Sequence, residues 1–291
     1  MARVNILQGA AVIGDKVLDL NIAAVTQEGR KETPKGDFPK KITVTISLAG
    51  IDISQIDPDK LAVYRQKQDG SWEYVGGTLS PDGNALFFET ERLSVYALME
   101  YQKTFEDIKG HWAQKTIELM AMRLVARGVG ENTFAPDQNL TRAQFAAFLV
   151  RALGIDEQSL QEPAFRDVAA GYWACGAIEA ARKAGLVFGT GAGKFEPERN
   201  ITREEMAVMI VRALKRNGID ISTTEAQKKE IFARYADSAG ISGWAEEAVV
   251  TCINKGIIEG RTATTIDPLS NATRAETVVV LARLLQCLEK K

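Results

Sequence analysis

Arg142, Arg203 and Arg274 are the first residues in this chain that could do chemistry, because they recur in one context: Thr141-Arg142-Ala143-Gln144, Thr202-Arg203-Glu204-Glu205 and Thr273-Arg274-Ala275-Glu276. A guanidinium is planar, permanently charged and shaped to hold a carboxylate or phosphate through parallel N–H donors. The flanking residues have a simpler role. Thr-x-x-Glu/Gln ahead of an apolar run is the capping-box signature, so a helix is expected to begin at each arginine. That helix explains the threonine and the Glu/Gln but not the arginine, since the first turn is the positive end of the helix dipole and mildly disfavours a cation. Two explanations follow. Each arginine pairs with an acid, either Asp107, Asp167 and Asp237 or one from a neighbouring unit, or it forms an anion site together with backbone amides of the helix start and a nearby glycine loop. The two are compatible, because an acid can hold an arginine in place for a ligand.

Each motif threonine lies 29 residues after a tryptophan, Trp112, Trp173 or Trp244. A spacing held three times marks an internal repeat. These indoles are either core or a ligand platform; an indole face beside a polar loop suits the apolar C–H surface of a sugar ring. Sixteen residues after the tryptophans stand Gly128, Gly189 and Gly260, in the loop before each motif. Twelve residues after them stand Leu124, Gly185 and Gly256. Glycine there supplies a left-handed helix cap, so Leu124 predicts a different ending for the first unit's helix.

The elements that must position these residues are helices from Lys103 onward. In the first unit Phe105, Asp107, Ile108 and His111 precede an amphipathic segment with Ile117, Leu119, Met120 and Leu124. A loop from Gly128 to Asn132 leads through Phe134-Ala135-Pro136 to the motif helix, and two further units follow the same plan. Between units two and three an additional helix is expected over 224–234, with Ser222 and Glu225 as its capping box.

Residues 1–102 have a different character. Lys16 to Val25 and Lys41 to Leu48 alternate as half-buried strands, and Gln27 to Lys40, with Gly29, Pro34, Gly36 and Pro39, predicts a long loop. Asp69-Gly70 and Asp82-Gly83 between apolar runs predict hairpins, and a last strand is expected over 93–101. Trp72 and Tyr74, at alternate positions of one strand, are expected to pack within the sheet. The whole reads as an antiparallel sandwich with no chemistry of its own, a spacer or a packing domain.

Composition narrows the function. A net charge of −2 supplies no global field toward nucleic acid or an anionic membrane, so an acidic ligand must meet a local cationic site. No apolar run is long enough to span a membrane. The single histidine, His111, argues against a histidine-built metal site or a Ser-His-Asp triad. Cys175, Cys252 and Cys287 fit no zinc spacing and read as small buried hydrophobes. No pair of carboxylates stands at a spacing that predicts a glycosidase. Neither metal, cofactor nor catalytic residue is expected, and the chain is read as a non-enzyme.

Phe-x-Asp, Trp-Ala, Gly-x-x-x-Gly, Phe-x-Pro and Ile-Thr-Arg-Ala-Glu, nearly complete and in triplicate, make residues 103–291 resemble three tandem S-layer homology domains. The resemblance implies an α+β multidomain chain: an N-terminal antiparallel β-sandwich-like domain (1–102), then an all-α pseudo-threefold spindle of three repeats (103–160, 161–221, 222–291). It implies noncovalent anchoring of a Gram-positive surface protein to the cell wall. Pyruvylated N-acetylmannosamine of a secondary cell wall polymer would enter the grooves between repeats, the motif arginine meeting the pyruvyl carboxylate. The ligand-binding set is then Arg142, Arg203, Arg274, Trp112, Trp173, Trp244, Asp107, Asp167, Asp237, Gly128, Gly189 and Gly260. Modest affinity in several grooves could add through multivalency. The third unit departs most, with Ala272 for isoleucine, Ile266 for phenylalanine and Tyr235 for the first phenylalanine, so its groove is expected to be the weaker. Family members are secreted to the cell surface, and Met1-Ala2-Arg3-Val4-Asn5 opens no apolar leader, which implies a fragment with an introduced start. The alternative is a structural lattice protein whose β domain drives self-assembly with neighbouring subunits.

Overall fold

The computed structural model describes residues 6–20, 24–25, 31–32, 38, 40–157 and 162–290. The chain divides into two compact units, residues 1–104 with 121–124, and residues 105–120 with 125–290.

The first unit is antiparallel β. A four-stranded sheet has the order β1 (Ala11–Asp19), β9 (Val95–Glu100), β5 (Leu61–Gln66), β6 (Trp72–Gly76). A three-stranded sheet has the order β4 (Ile42–Ser47), β8 (Ala85–Thr90), β7 (Thr78–Leu79), and β2 (Ala24–Val25) pairs with β3 (Lys31–Glu32). Alternation decides what faces what. Leu61 and Val63 of β5 join Ile13, Ile46, Leu86, Phe88, Tyr96 and Leu98 in a core drawn from both larger sheets, which makes this a sandwich. Ala62 and Tyr64, pointing the other way, cluster with Trp72, Ala97 and Met99. Tyr64 meets Tyr74 edge to face at 5.7 Å between ring centres, so the expected packing of this strand holds.

Both Asp-Gly hairpins form, with Gly70 at φ 81° and Gly83 at φ 72°. Asp69 and Asp82 each accept the amide two residues on, which closes the turn locally. Two boundaries differ from expectation. The first strand begins at Ala11 and ends at Asp19 rather than running from Lys16 to Val25, and Lys31–Glu32 within the expected loop forms β3. Most of 27–40 lies outside the described residues, as do residues 1–5.

The second unit holds α1 (Gln114–Met122, its last two residues counted with the first unit), α2 (Arg142–Ala152), α3 (Cys175–Lys183), α4 (Arg203–Arg216), α5 (Glu225–Arg234), α6 (Glu246–Asn254) and α7 (Arg274–Glu289). The helices that open on the motif, α2, α4 and α7, bury Phe145 and Leu149, Met206 and Ile210, and Val278 and Leu281, in spacings of three and four that place them on one face. α7 packs on both α2 and α4. All three expected capping boxes form. The box of α5 is Thr224 with Gln227, not Ser222 with Glu225, because Asp220 accepts both the amide and the hydroxyl of Ser222.

At the start of the motif helices the backbone closes a cycle. The amide of Leu140 donates to Ala272, that of Ala272 to Ile201, and that of Ile201 back to Leu140, each at 3.0 Å. The three repeats therefore surround a pseudo-threefold axis, each bonded to both others.

Candidate functional site

The site begins with an aspartate in each repeat. Asp107 accepts the amides of Phe134 (2.9 Å) and Ala135 (2.6 Å); Asp167 those of Phe195 and Glu196 (both 2.8 Å); Asp237 those of Ile266 (2.9 Å) and Asp267 (2.7 Å). The second residue of each pair, Ala135, Glu196 or Asp267, is held at φ 57°, 59° or 53°, a left-handed conformation that a side chain disfavours by about 1 kcal/mol. Burial opposes the Asp167 charge, but the two amides outweigh it and hold its pKa below the usual carboxylate range. The clamp turns the carbonyl of Phe134, Phe195 or Ile266 toward the arginine of another repeat.

Each arginine crosses to that neighbour. Arg142 donates from Nε to Phe195 O (3.0 Å) and from Nη2 to Phe188 O (3.4 Å). Arg203 donates to Ile266 O (2.8 Å) and Glu259 O (2.6 Å), and Arg274 to Phe134 O and Arg127 O (both 2.7 Å). The side chains are only 2–5% exposed. Of the two explanations for these arginines, pairing with Asp107, Asp167 and Asp237 is not what is seen, since those carboxylates serve the loop amides. The acids are those of the neighbouring motif: Arg142 Nη1 lies 3.2 Å from Glu205 and Arg203 Nη1 lies 3.7 Å from Glu276. Burial pulls all three guanidinium pKa values down, Arg274 to about 10, with partial compensation from Glu205, Glu276 and Asp107 respectively.

Of the backbone amides expected to help an anion, those of the helix starts are already used. The first amide of each motif helix donates to Arg199 O, Ser270 O or Gln138 O, and the second to Pro197 O, Pro268 O or Pro136 O. At the helix starts, charge recognition therefore falls to side chains.

Gly128, Gly189 and Gly260 have a packing reason. A Cβ at these positions would stand 2.5–2.6 Å from a carbonyl oxygen, and also against the ring of Phe105, Phe165 or Tyr235. Those rings are buried; Phe105 and Phe165 pack on Phe134 and Phe195 at 5.4 Å and 5.3 Å between centres. Leu124 takes the same left-handed conformation as Gly185 and Gly256, φ 59° against 72° and 65°, so the helix of the first repeat ends as the others do. Its side chain packs on the second apolar cluster of the first unit.

Trp112, Trp173 and Trp244 are 67%, 55% and 62% exposed, while Ala113, Ala174 and Ala245 beside them are buried. That removes the core explanation and leaves three open indole faces. Trp112 lies against His111 and Trp173 against Tyr172, and these neighbours reach Asp137 (3.3 Å) and Glu198 (2.6 Å) in the loop ahead of the motif. An open cavity of about 510 Å³ is lined by Asn139, Arg261, Leu269, Ser270, Asn271, Thr273 and Glu276. Among the described residues no His, Cys, Asp and Glu group could hold a metal, and no helix is long and apolar enough to cross a membrane.

Sequence reasoning missed Arg199 and Arg261. Arg199 bonds Glu205 in bidentate fashion, and Arg261 does the same to Glu276 at 3.1 Å twice. They occupy different positions in their repeats, so no repeat alignment reveals them as equivalents.

The S-layer homology domain model matches residues 104–146, 164–207 and 234–278. The helical unit is three S-layer homology domains in tandem. An amylopullulanase of Thermoanaerobacterium thermosulfurigenes is 35% identical over 268 residues, covering 91% of this chain and 14% of that protein. A cellulosome-anchoring protein of Acetivibrio thermocellus is 30% identical over 168 residues (55% of this chain, 35% of the relative). An S-layer protein of Bacillus thuringiensis subsp. finitimus is 30% identical over 182 residues (62% and 21%). The chain thus spans 14–35% of the length of these relatives. The first alignment is longer than the helical unit, so the likeness continues into the β unit.

Proposed function

We propose that the S-layer homology domains attach the protein that carries them noncovalently to the cell wall, at the surface of a Gram-positive bacterium. The ligand on this reading is secondary cell wall polymer bearing pyruvylated N-acetylmannosamine. The carrying observation is the threefold pattern in which an arginine joins two repeats within a unit that also leaves an open tryptophan in each repeat. A guanidinium suits the pyruvyl carboxylate and an indole face suits the sugar ring. The names of the relatives, a cellulosome anchor and an S-layer protein among them, support anchoring as the shared role. An amylopullulanase matched across the β unit as well favours that unit as a spacer over a lattice-forming domain. The reading is tested by sedimenting the intact chain with purified cell walls before and after removal of pyruvate. Cosedimentation that disappears with the pyruvate is expected; equal binding to stripped walls refutes carboxylate recognition, and no binding to either refutes anchoring.

A further inference from the structure

The three junctions share one backbone plan but not one charge, and the difference is concentrated in the first repeat. Between repeats one and two, Arg142 and Arg199 face Glu205 and Glu196, with ion pairs of 3.2 Å (Arg142–Glu205), 2.5 Å (Arg199–Glu205) and 2.9 Å (Arg199–Glu196). Between repeats two and three, Arg203 and Arg261 face Glu276 and Asp267, with pairs of 3.7 Å (Arg203–Glu276), 3.1 Å (Arg261–Glu276) and 3.7 Å (Arg261–Asp267). Each of these two sets of ion pairs joins two cations to two anions.

The junction that joins repeat three back to repeat one differs at both acidic positions. Gln144 stands where the others have Glu205 and Glu276, and Ala135 where they have Glu196 and Asp267. Arg274 is 2% exposed and has no carboxylate within ion-pair distance among the described residues. Its Nε and Nη2 are bonded to carbonyls, but the Nη1 that meets an acid in the other junctions has no acceptor among the described residues. Arg127, whose carbonyl accepts the Arg274 bond, is itself an exposed arginine with no ion pair among the described residues. The equivalent residues elsewhere are Phe188 and Glu259. Among the acids of the first repeat, Asp107 is held by two loop amides, Asp137 lies 3.3 Å from His111 and Glu157 pairs with Arg151 at 3.1 Å. A buried guanidinium that no carboxylate pairs directly, with only the more distant Asp107 to offset its burial, is costly and gains from an incoming anion.

We propose that the junction of repeats three and one, with Arg274 and Arg127 as its cations and Gln144 at its neutral wall, is the one that takes the carboxylate of the polymer, and that the other two are closed to it by their own acids. This rests on the carboxylate reading above and inverts the expectation that the groove of Arg274 is the weaker.

The variants that test it keep the fold, because glutamine and glutamate both complete the capping box here. Calorimetric titration of the intact chain with a pyruvate ketal of N-acetylmannosamine is expected to give one equivalent bound, and none with the unketalised sugar. Gln144→Glu, which places a carboxylate opposite Arg274, is expected to weaken binding by about tenfold or more, and Arg127→Ala by roughly threefold. Glu205→Gln, which removes the acid from Arg142 and leaves Arg199 paired with Glu196 alone, is expected to raise the stoichiometry from one to two. An unchanged Kd in Gln144→Glu, a wild type that binds three equivalents, or a stoichiometry that stays at one in Glu205→Gln would overturn the proposal while leaving wall anchoring intact. No heat with the ketal from a chain that still sediments with walls would overturn the carboxylate reading and this inference together.

Discussion

Removing the carboxylate of Asp167 should loosen one whole junction. It accepts two amides at 2.8 Å and is the clamp on a loop whose Glu196 sits at φ 59°. A bond to a charged acceptor contributes about 1.5–3 kcal/mol, and the amides left behind are half-buried, so water satisfies them in part. Asp167→Ala is therefore expected to cost about 2–4 kcal/mol, and Asp167→Asn, which keeps one neutral acceptor, about half as much. The assay is urea unfolding at neutral pH followed by far-ultraviolet circular dichroism, which reads the helical unit rather than the sheets. The loop carries Phe195, whose carbonyl accepts the Arg142 Nε bond, so the Asp167→Ala and Arg142→Met losses should add to less than their sum in a double-mutant cycle. The pH dependence has a definite sign. A carboxylate whose folded pKa is depressed contributes stability above its unfolded pKa of about 4, and that contribution is lost as pH falls through the lower folded value. A loss below about 0.5 kcal/mol for Asp167→Ala, or strict additivity with Arg142→Met, would refute the clamp argument.

Gly189→Ala would place a methyl 2.6 Å from Lys194 O and 3.1 Å from the Phe165 ring, and thermal unfolding should show a loss of about 1–3 kcal/mol or more. Thr202→Ala removes the hydroxyl that accepts the Glu205 amide and should cost about 1 kcal/mol in the same assay, with Thr202→Ser recovering most of it. Trp173→Ala, at a side chain 55% exposed, should leave unfolding within about 0.5 kcal/mol of wild type while weakening cosedimentation with walls. Of the three thiols, Cys175 and Cys252 are buried and burial pushes their pKa up, whereas Cys287 is half-buried, so a thiol reagent should label one cysteine rapidly in the native chain and three in denaturant.

The motif threonines were legible because a capping box is satisfied within four residues and depends on nothing distant. The same local logic predicts Ser222 with Glu225 and Thr224 with Gln227 equally well, and only the turn at Asp220 decides between them. The dipole argument rightly separated the arginines from the helix start. It could not supply their partners, which lie 53, 63 and 140 residues away for the Nε bonds. Sequence motifs weigh likeness within each repeat, and by that measure repeat three departs most. The charge at a junction is set by two repeats at once, and Gln144 of the first bears on Arg274 of the third. Leu124 departs from the expected different ending because the left-handed conformation belongs to the shared repeat, while the leucine side chain packs on the apolar cluster of the β unit.

The three-membered backbone cycle of Leu140, Ala272 and Ile201 sets how many copies the architecture accepts. A head-to-tail interface either propagates without limit or closes, and here the last member returns to the first. A fourth copy in the same series finds no free amide or carbonyl at the axis, and a chain shortened to two leaves both a donor and an acceptor without partners. Copy number in this unit is therefore tied to closure: loss of a single repeat opens the circle, and an added one lies outside it.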